Sequence, residues 1–475
     1  MNDGSDLMML AVTALTPTRE TFGNIPVSSQ ILFYFLAAAA TAIFAGGVWR
    51  RFRLWRQGQP TDWTALLGGN LVGRLRLAAL RPGLRRVVVE GFGQQRVRGR
   101  GLPSWAHAAL VAGFLMLFLG TTLLEVDHLA TMISGRLKFH EGAYYVAYEF
   151  TLDLFGLAFL LGVILFFWRR LRRPPSLGHR GTDWYVLLSF LGIGVTGYLV
   201  EGLRMTWQHP EGIGAHCSPV GYWLAALFQP LGDGPARSWH LGVWWLHSVL
   251  VFGFIASIPY TRLFHVVAGP LNLFLARPGL GFLQPITLEQ VEKEERIGVS
   301  RITHLTQQQL VSLDACMECG RCEEACPAFA TAKPLSPKRV VQTLKLVMEA
   351  LPSGPRARAG AVAVPSGGGD AAVAGEGENS EAGNVHAKIS AETLFSCTAC
   401  SACTFVCPVR VDPLGLILDM RRHLVAEGGL AGTAATALRR LQSNSNPWGL
   451  SPADRGDWRQ GLVAGPSPGS PPPPA

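Results

Sequence analysis

Nine cysteines occur in this 475-residue chain, and eight of them fall into two runs of one pattern. Cys316, Cys319, Cys322 and Cys326 precede Pro327; Cys397, Cys400, Cys403 and Cys407 precede Pro408. Both read C-x2-C-x2-C-x3-C-P, the spacing with which thiolates hold 4Fe–4S cubes. Three thiolates two residues apart wrap one face of a cube, and the proline turns the fourth away. In two-cluster domains that fourth thiolate ligates the other cube. The pattern predicts one cluster on Cys316, Cys319, Cys322 and Cys407, and a second on Cys397, Cys400, Cys403 and Cys326. Zinc also accepts paired C-x-x-C, but two complete runs with trailing prolines favour clusters. Disulfides are disfavoured because the runs are expected on the reducing side of a membrane. Cys217 stands alone and is read as incidental. The chemistry is one-electron transfer.

The elements that must position these thiolates divide into a membrane half and a polar half. Mean hydropathy is +0.23, with 13 tryptophans and only 16% charged residues. Five apolar runs reach the ~20 residues that span a bilayer: Gln30 to Val48, Ser104 to Leu124, Ala143 to Trp168, Trp184 to Val200 and Leu241 to Tyr260. The first has no preceding basic region or small-residue cleavage site, so it reads as a retained anchor. Twelve arginines but only Asp62 and Glu90 as acids lie between Arg50 and Arg100. Arg169, Arg170, Arg172, Arg173 and Arg180 follow the third run. Such loops face the cytoplasm. The expectation is a multi-pass protein of the inner membrane, its N-terminus outside and its cysteine runs inside. No nucleic-acid partner is expected, since the positive-inside rule accounts for the basic block.

Histidines carry the second signal. His107 lies at the cytoplasmic start of the second run; His247 and His265 are eighteen residues apart on the fifth. Eighteen residues make five helical turns, about 27 Å, close to the thickness of the hydrocarbon core. An unbroken helix would place both rings on one face, near opposite membrane surfaces. That spacing suits two haems stacked across the bilayer.

Residues 247–270, HSVLVFGFIASIPYTRLFHVVAGP, resemble the last helix of the respiratory nitrate reductase gamma subunit family. The resemblance implies five helices and two b-type haems ligated from helices two and five. It places His247 and His265 on the helix-five ligands, Arg262 on the arginine before the second, and His107 on the first helix-two ligand. Antiparallel helices then pair His107 with His265. The family's second helix-two histidine is replaced by Leu117. His128, about 31 Å along the helix from His107, is the candidate partner of His247, and His240 is the alternative. Ionisable residues gather on the outer side: Glu149, Asp153, Glu201, Arg204 and Asp127. Intramembrane charges are costly and by default functional, so Asp153, the most interior, is the candidate for quinone protonation.

The polar half reads as short helices from residue 285 to 350 and from 389 to 430, forming a helical dicluster domain behind the membrane domain of residues 1–275. Residues 351–388 read as a disordered insert and residues 431–475 as an extension with a disordered Pro-rich tail. The fold class is all-α. Five haem-bearing helices fused to such a domain resemble heterodisulfide-reductase-like membrane iron–sulfur oxidoreductases, which include electron-transfer-flavoprotein–quinone oxidoreductases. The resemblance runs over GTTLLEVDH (120–128), SPVGYWLA (218–225), WWLHSVLV (244–251), CTACSACTFVCPV (397–409), DMRRHLV (419–425) and NPWG (446–449). Many members continue into cysteine-rich CCG domains, whereas no cysteine follows Cys407 here. The resemblance implies a wire between membrane quinone and a cytoplasmic redox protein, either an electron transfer flavoprotein or a separate CCG-domain subunit. The alternatives are an anchor subunit of a larger heterodisulfide-reductase-like or molybdenum enzyme and a redox sensor; no regulatory segment supports the last.

Overall fold

The computed structural model describes residues 17–61, 77–99, 101–172, 181–276, 285–286, 288, 291–292, 297–351, 383–430 and 432–459. Most of the expected insert, the Pro-rich tail, Asp62, Arg173 and Arg180 lie outside the described residues. The chain is helical throughout, with isolated β-bridges and no strand among the described residues.

Five helices are long and apolar enough to cross a membrane, and they coincide with the five apolar runs. They are α1 (Val27–Trp55), α3 (Leu102–Ile133), α4 (Gly142–Leu171), α5 (Gly181–Gln208) and α7 (Asp233–Ser257), with α2 (Leu77–Arg86) between the first two and α6 (Pro219–Phe228) before the last. Helices α3 and α4 lie against each other, as do α5 and α7. Small residues permit the closest approach, as is usual between helices in lipid. A Cβ at Gly113 would stand 2.6 Å from the backbone oxygen of Phe155, and one at Gly162 would stand 2.7 Å from the nitrogen of Leu110. The bundle centre is a phenylalanine cluster of Phe114, Phe159, Phe190 and Phe254, into which Leu117 packs.

The fifth span is not one continuous helix to His265. Helix α7 ends at Ser257, and two 3-10 turns, Ile258–Tyr260 and Arg262–Phe264, precede α8 (His265–Leu275). Pro259 is the physical cause: it lacks an N–H and its ring crowds the carbonyl one turn back. The five-turn argument that put His247 and His265 on one helix face therefore fails. The two histidines sit on separate helices joined by a bend.

After the bend the chain forms α8, α9 (Gln307–Ala315), α10 (Pro337–Glu349), α11 (Pro413–Ala426) and α12 (Gly432–Asn444), with single-turn helices inside each cysteine run. Capping signals set the starts: Thr306 and Gln309 form a capping box on α9, and Ser336 and Asp412 cap α10 and α11. The core of this half holds Leu305, Leu310, Leu344, Met348, Ile417 and Met420, but also Leu54, Trp55, Phe264 and Ala268. The end of α1 and all of α8 thus belong to the cluster half, so the boundary expected between residues 275 and 285 is not a clean one. Residues 351 and 383–388, expected within the disordered insert, are ordered. Leu351 and Val385 are buried in this core, and Val385 N–H donates to Ser300 O at 3.0 Å. One buried valine and a bridge between Arg301 and Asn384 order residues 383–388 against the start of the domain.

Candidate metal centres

The two cysteine runs fold alike. Glu318 (φ 56°) and Gly320 (φ 81°) bracket Cys319; Ala399 (φ 55°) and Ser401 (φ 64°) bracket Cys400 in the same way. Left-handed residues at these places curl the loop and aim its amides inward. The amide of Ala399 points at Cys397 Sγ at 3.4 Å, and that of Val411 at Cys407 Sγ at 3.2 Å. Amide-to-sulfur bonds of this kind tune cluster potentials. Cys316, Cys319, Cys322, Cys403 and Cys407 line one cavity, with Met317, Val341 and Pro408 in its walls. Three thiols of the first run thus share a cavity with two of the second. Cys326 and Cys403 are buried, whereas Cys400 is exposed. All nine cysteines are free. Burial pushes the thiols of Cys403 and Cys407 up, to about 11 and about 12, so loading iron must displace their protons.

Three histidines share one hydrogen-bond pattern. His265 Nδ1 lies 2.7 Å from Arg262 O, and a carbonyl can only accept. His107 Nδ1 lies 2.7 Å from Gln94 Oε1. His247 Nδ1 lies 2.9 Å from Thr196 Oγ1, whose own proton goes to Gly192 O at 2.6 Å. In each ring the Nδ1 proton is donated and Nε2 keeps its lone pair, the tautomer that a metal-ligating imidazole needs. His107 lies within electrostatic reach of His265 and of Arg321 of the first cysteine run. Arg262 bonds Asp183 at 3.0 Å at the start of α5 and Glu318 at 2.7 Å inside the first cysteine run. His107 and His265 therefore stand at the cluster end of the bundle, together with Arg170, which pairs with Asp183.

The other end holds His128, His240 and the carboxylates. His128 meets the edge of Phe22 at 4.9 Å between ring centres, and Phe22 in turn meets Trp244, one turn from His247. His240 fits metal ligation less well. Asn24 Nδ2 donates to Arg237 O at 2.8 Å, which fixes that amide, and its other proton faces His240 Nδ1 at 3.4 Å. Nδ1 is then the acceptor and Nε2 carries the proton. Asp153 accepts from Ser218 Oγ at 3.2 Å and from Val220 N–H at 3.0 Å. These bonds hold the N-terminus of α6. Glu149 and Glu201 instead share two guanidiniums. Arg204 reaches Glu201 and Glu149 (3.7 Å), while Arg19 reaches Glu149 (3.4 Å) and Glu201 (4.0 Å).

Residues 312–411 match the model of the 4Fe-4S dicluster domain. EtfAB:quinone oxidoreductase of Syntrophomonas wolfei is 31% identical over 93% of this chain and 61% of its own length. A probable membrane-anchored ferredoxin of Chromohalobacter salexigens is 31% identical over 91% of this chain and 58% of its own length. A subunit of the dihydromethanophenazine:CoB–CoM heterodisulfide reductase of Methanosarcina mazei is 27% identical over 42% of this chain and 70% of its own length. The chain is similar to heterodisulfide-reductase-like membrane iron–sulfur oxidoreductases and carries a 4Fe-4S dicluster domain. It spans about three-fifths of the length of the first two relatives. No solved structure matches it.

Sequence reasoning missed the residues that hold the histidine rings. Gln94 and Thr196 carried no motif, and only the fold brings them to His107 and His247. It also missed the double use of Arg262, which ties the turn before His265 to a cysteine loop. The proline that breaks the fifth span was visible in the sequence.

Proposed function

We propose that the chain carries electrons between the membrane quinone pool and a redox protein on the side of its cysteine runs, which is the cytoplasmic side by the arginine distribution of its loops. When bound, two 4Fe–4S clusters and two b-type haems supply the one-electron carriers for this task. Cys316, Cys319, Cys322 and Cys407 would hold the cluster nearer the bundle. Cys397, Cys400, Cys403 and Cys326 would hold the other. His107 with His265 would hold the haem at the cluster end, and His247 with His128 the one at the far end. The observation that carries this reading is placement: Arg262, whose carbonyl accepts from His265, pairs with Glu318 in the wall of the cavity lined by five cysteines.

On the far side, the residues suited to handling protons are Glu149 and Glu201 rather than Asp153. Their carboxyls sit in a buried cluster with two arginines, where a proton taken up or released is balanced by fixed positive charge. Kinship with the Syntrophomonas EtfAB:quinone oxidoreductase favours a flavoprotein as the cytoplasmic partner and quinone as the acceptor. Kinship with a subunit of the Methanosarcina heterodisulfide reductase favours a second reading, an anchor for a separate catalytic subunit. Stepwise reduction of the detergent-solubilised full chain tests the proposal. It predicts low-spin haem bands in the optical spectrum and two cluster signals by EPR. A fully reduced protein without haem bands overturns the membrane half.

A further inference from the structure

The segment between the first two spans does more than carry positive charge. Gln94 is buried, at 6% exposure, and its φ is 52°, a left-handed conformation that costs a non-glycine residue about 1 kcal/mol or more and persists only where the surroundings impose it. That backbone delivers Oε1 to His107 Nδ1 at 2.7 Å. Two residues on, Arg96 Nη1 donates to the carbonyls of Phe405 and Cys407, both at 3.2 Å. Arg321, between Cys319 and Cys322, donates back to the carbonyls of Arg96 (2.7 Å) and Val97 (3.1 Å). Ser104, three residues before His107 on α3, donates to Val97 O at 2.8 Å. Glu90 secures the arrangement by pairing with Arg96 and Arg410.

We propose that Gln94 is a positioning residue for His107, and that residues 94–97 lock this imidazole in register with the cluster of Cys316, Cys319, Cys322 and Cys407. Gln94 accepts the Nδ1 proton and so reserves Nε2 for iron. Arg96 and Val97 tie the same stretch of chain to both cysteine runs. No atom is transferred: the proton stays on Nδ1. The inference rests on the reading that His107 holds a haem, and deepens it by naming the residue that sets the ligand's tautomer and basicity.

The test is an optical redox titration of the full chain in detergent, comparing wild type, Gln94→Glu and Gln94→Leu. A carboxylate acceptor makes the imidazole a stronger donor and favours oxidised iron. In Gln94→Glu one haem should become about tenfold harder to reduce, about 59 mV for a one-electron couple, while the other haem is unmoved. Gln94→Leu, which removes the acceptor, should lower retention of that same haem about tenfold or more. Should Gln94→Leu fail to fold, the near-isosteric Gln94→Glu still decides the matter. Wild type with two haems and Gln94→Glu with unshifted midpoints overturns this inference alone. Wild type without haem overturns the underlying reading with it.

Discussion

Asp314 should be the residue on which docking of the cluster half depends most. Its side chain is fully buried, two positions before the first cluster cysteine. Trp55 Nε1, at the end of α1, donates to Oδ2 at 2.8 Å. Arg51 of α1 and Lys345 of α10 approach Oδ1 at 3.2 and 3.3 Å. Asp314→Ala deletes two charged hydrogen bonds, from Trp55 and Arg51, each about 1.5–3 kcal/mol before any re-pairing, and strips Lys345 of its buried partner. Arg51 keeps Glu349 and the carbonyl of Pro259, which offsets part of the loss. Breaking a buried pair by removing one member costs about 3–5 kcal/mol, and that range is the expected total. For a domain of this size it amounts to a fall of at least about 12 °C in the melting midpoint. Asp314→Asn keeps an acceptor for Trp55 and should cost less, about 1–3 kcal/mol. The assay is thermal loss of the cluster absorption band in detergent, with limited proteolysis after residue 276 reporting detachment. An Asp314→Ala protein that melts within about 2 °C of wild type would refute the reasoning, because the buried aspartate would then contribute no more than a surface charge.

Three further outcomes follow from the site. Cys407→Ser should abolish the EPR signal that Cys316→Ser abolishes, and Cys326→Ser the signal lost in Cys397→Ser; pairing by run instead would show that the fourth thiolates are not exchanged. Replacing His247 should remove one haem and replacing Leu117, packed in the phenylalanine cluster, should remove none, as read by the pyridine haemochrome spectrum. The Glu90 effect depends on pH. Burial acts to raise its carboxyl, but Arg410, Arg96 and Arg86 outweigh that and hold it below the ordinary carboxylate value. A depressed folded value means the pairing stabilises fully above the unfolded value, about 4.3, and is lost as pH falls through the folded one. Glu90→Gln should therefore destabilise by about 1–3 kcal/mol at pH 7, and its deficit against wild type should shrink below about pH 4, followed by denaturant titration of tryptophan fluorescence. A deficit that does not vary with pH contradicts the assignment.

What was legible in the sequence is what short-range spacing encodes. The cysteine runs carry their own loop geometry, so the dicluster domain could be read before any fold was known. Five apolar runs gave five spans for the same reason: length and hydropathy are local. What was hidden depends on contacts between distant segments. Asp153 was read as the most interior of a group of outer ionisable residues, and Ser218 and Val220, sixty-five and sixty-seven residues on, donate to its oxygens. Gln94 sits in a basic loop with nothing to distinguish it until His107 is seen beside it. Val385 is an isolated apolar residue after a long polar stretch, and its burial follows only from a bridge to residue 301. The bend before His265 differs from these, because Pro259 was in plain view and a helix drawn through it needed an explanation.

The central claim is that one chain connects quinone to two iron–sulfur clusters. Pre-reducing the full chain in liposomes and adding a soluble menaquinone analogue, with the cluster EPR signals followed by rapid freezing, tests it most directly. Both signals should bleach in wild type and persist when His247 is replaced. Clusters that quinone cannot oxidise in wild type, or that it oxidises equally fast without His247, would contradict the account.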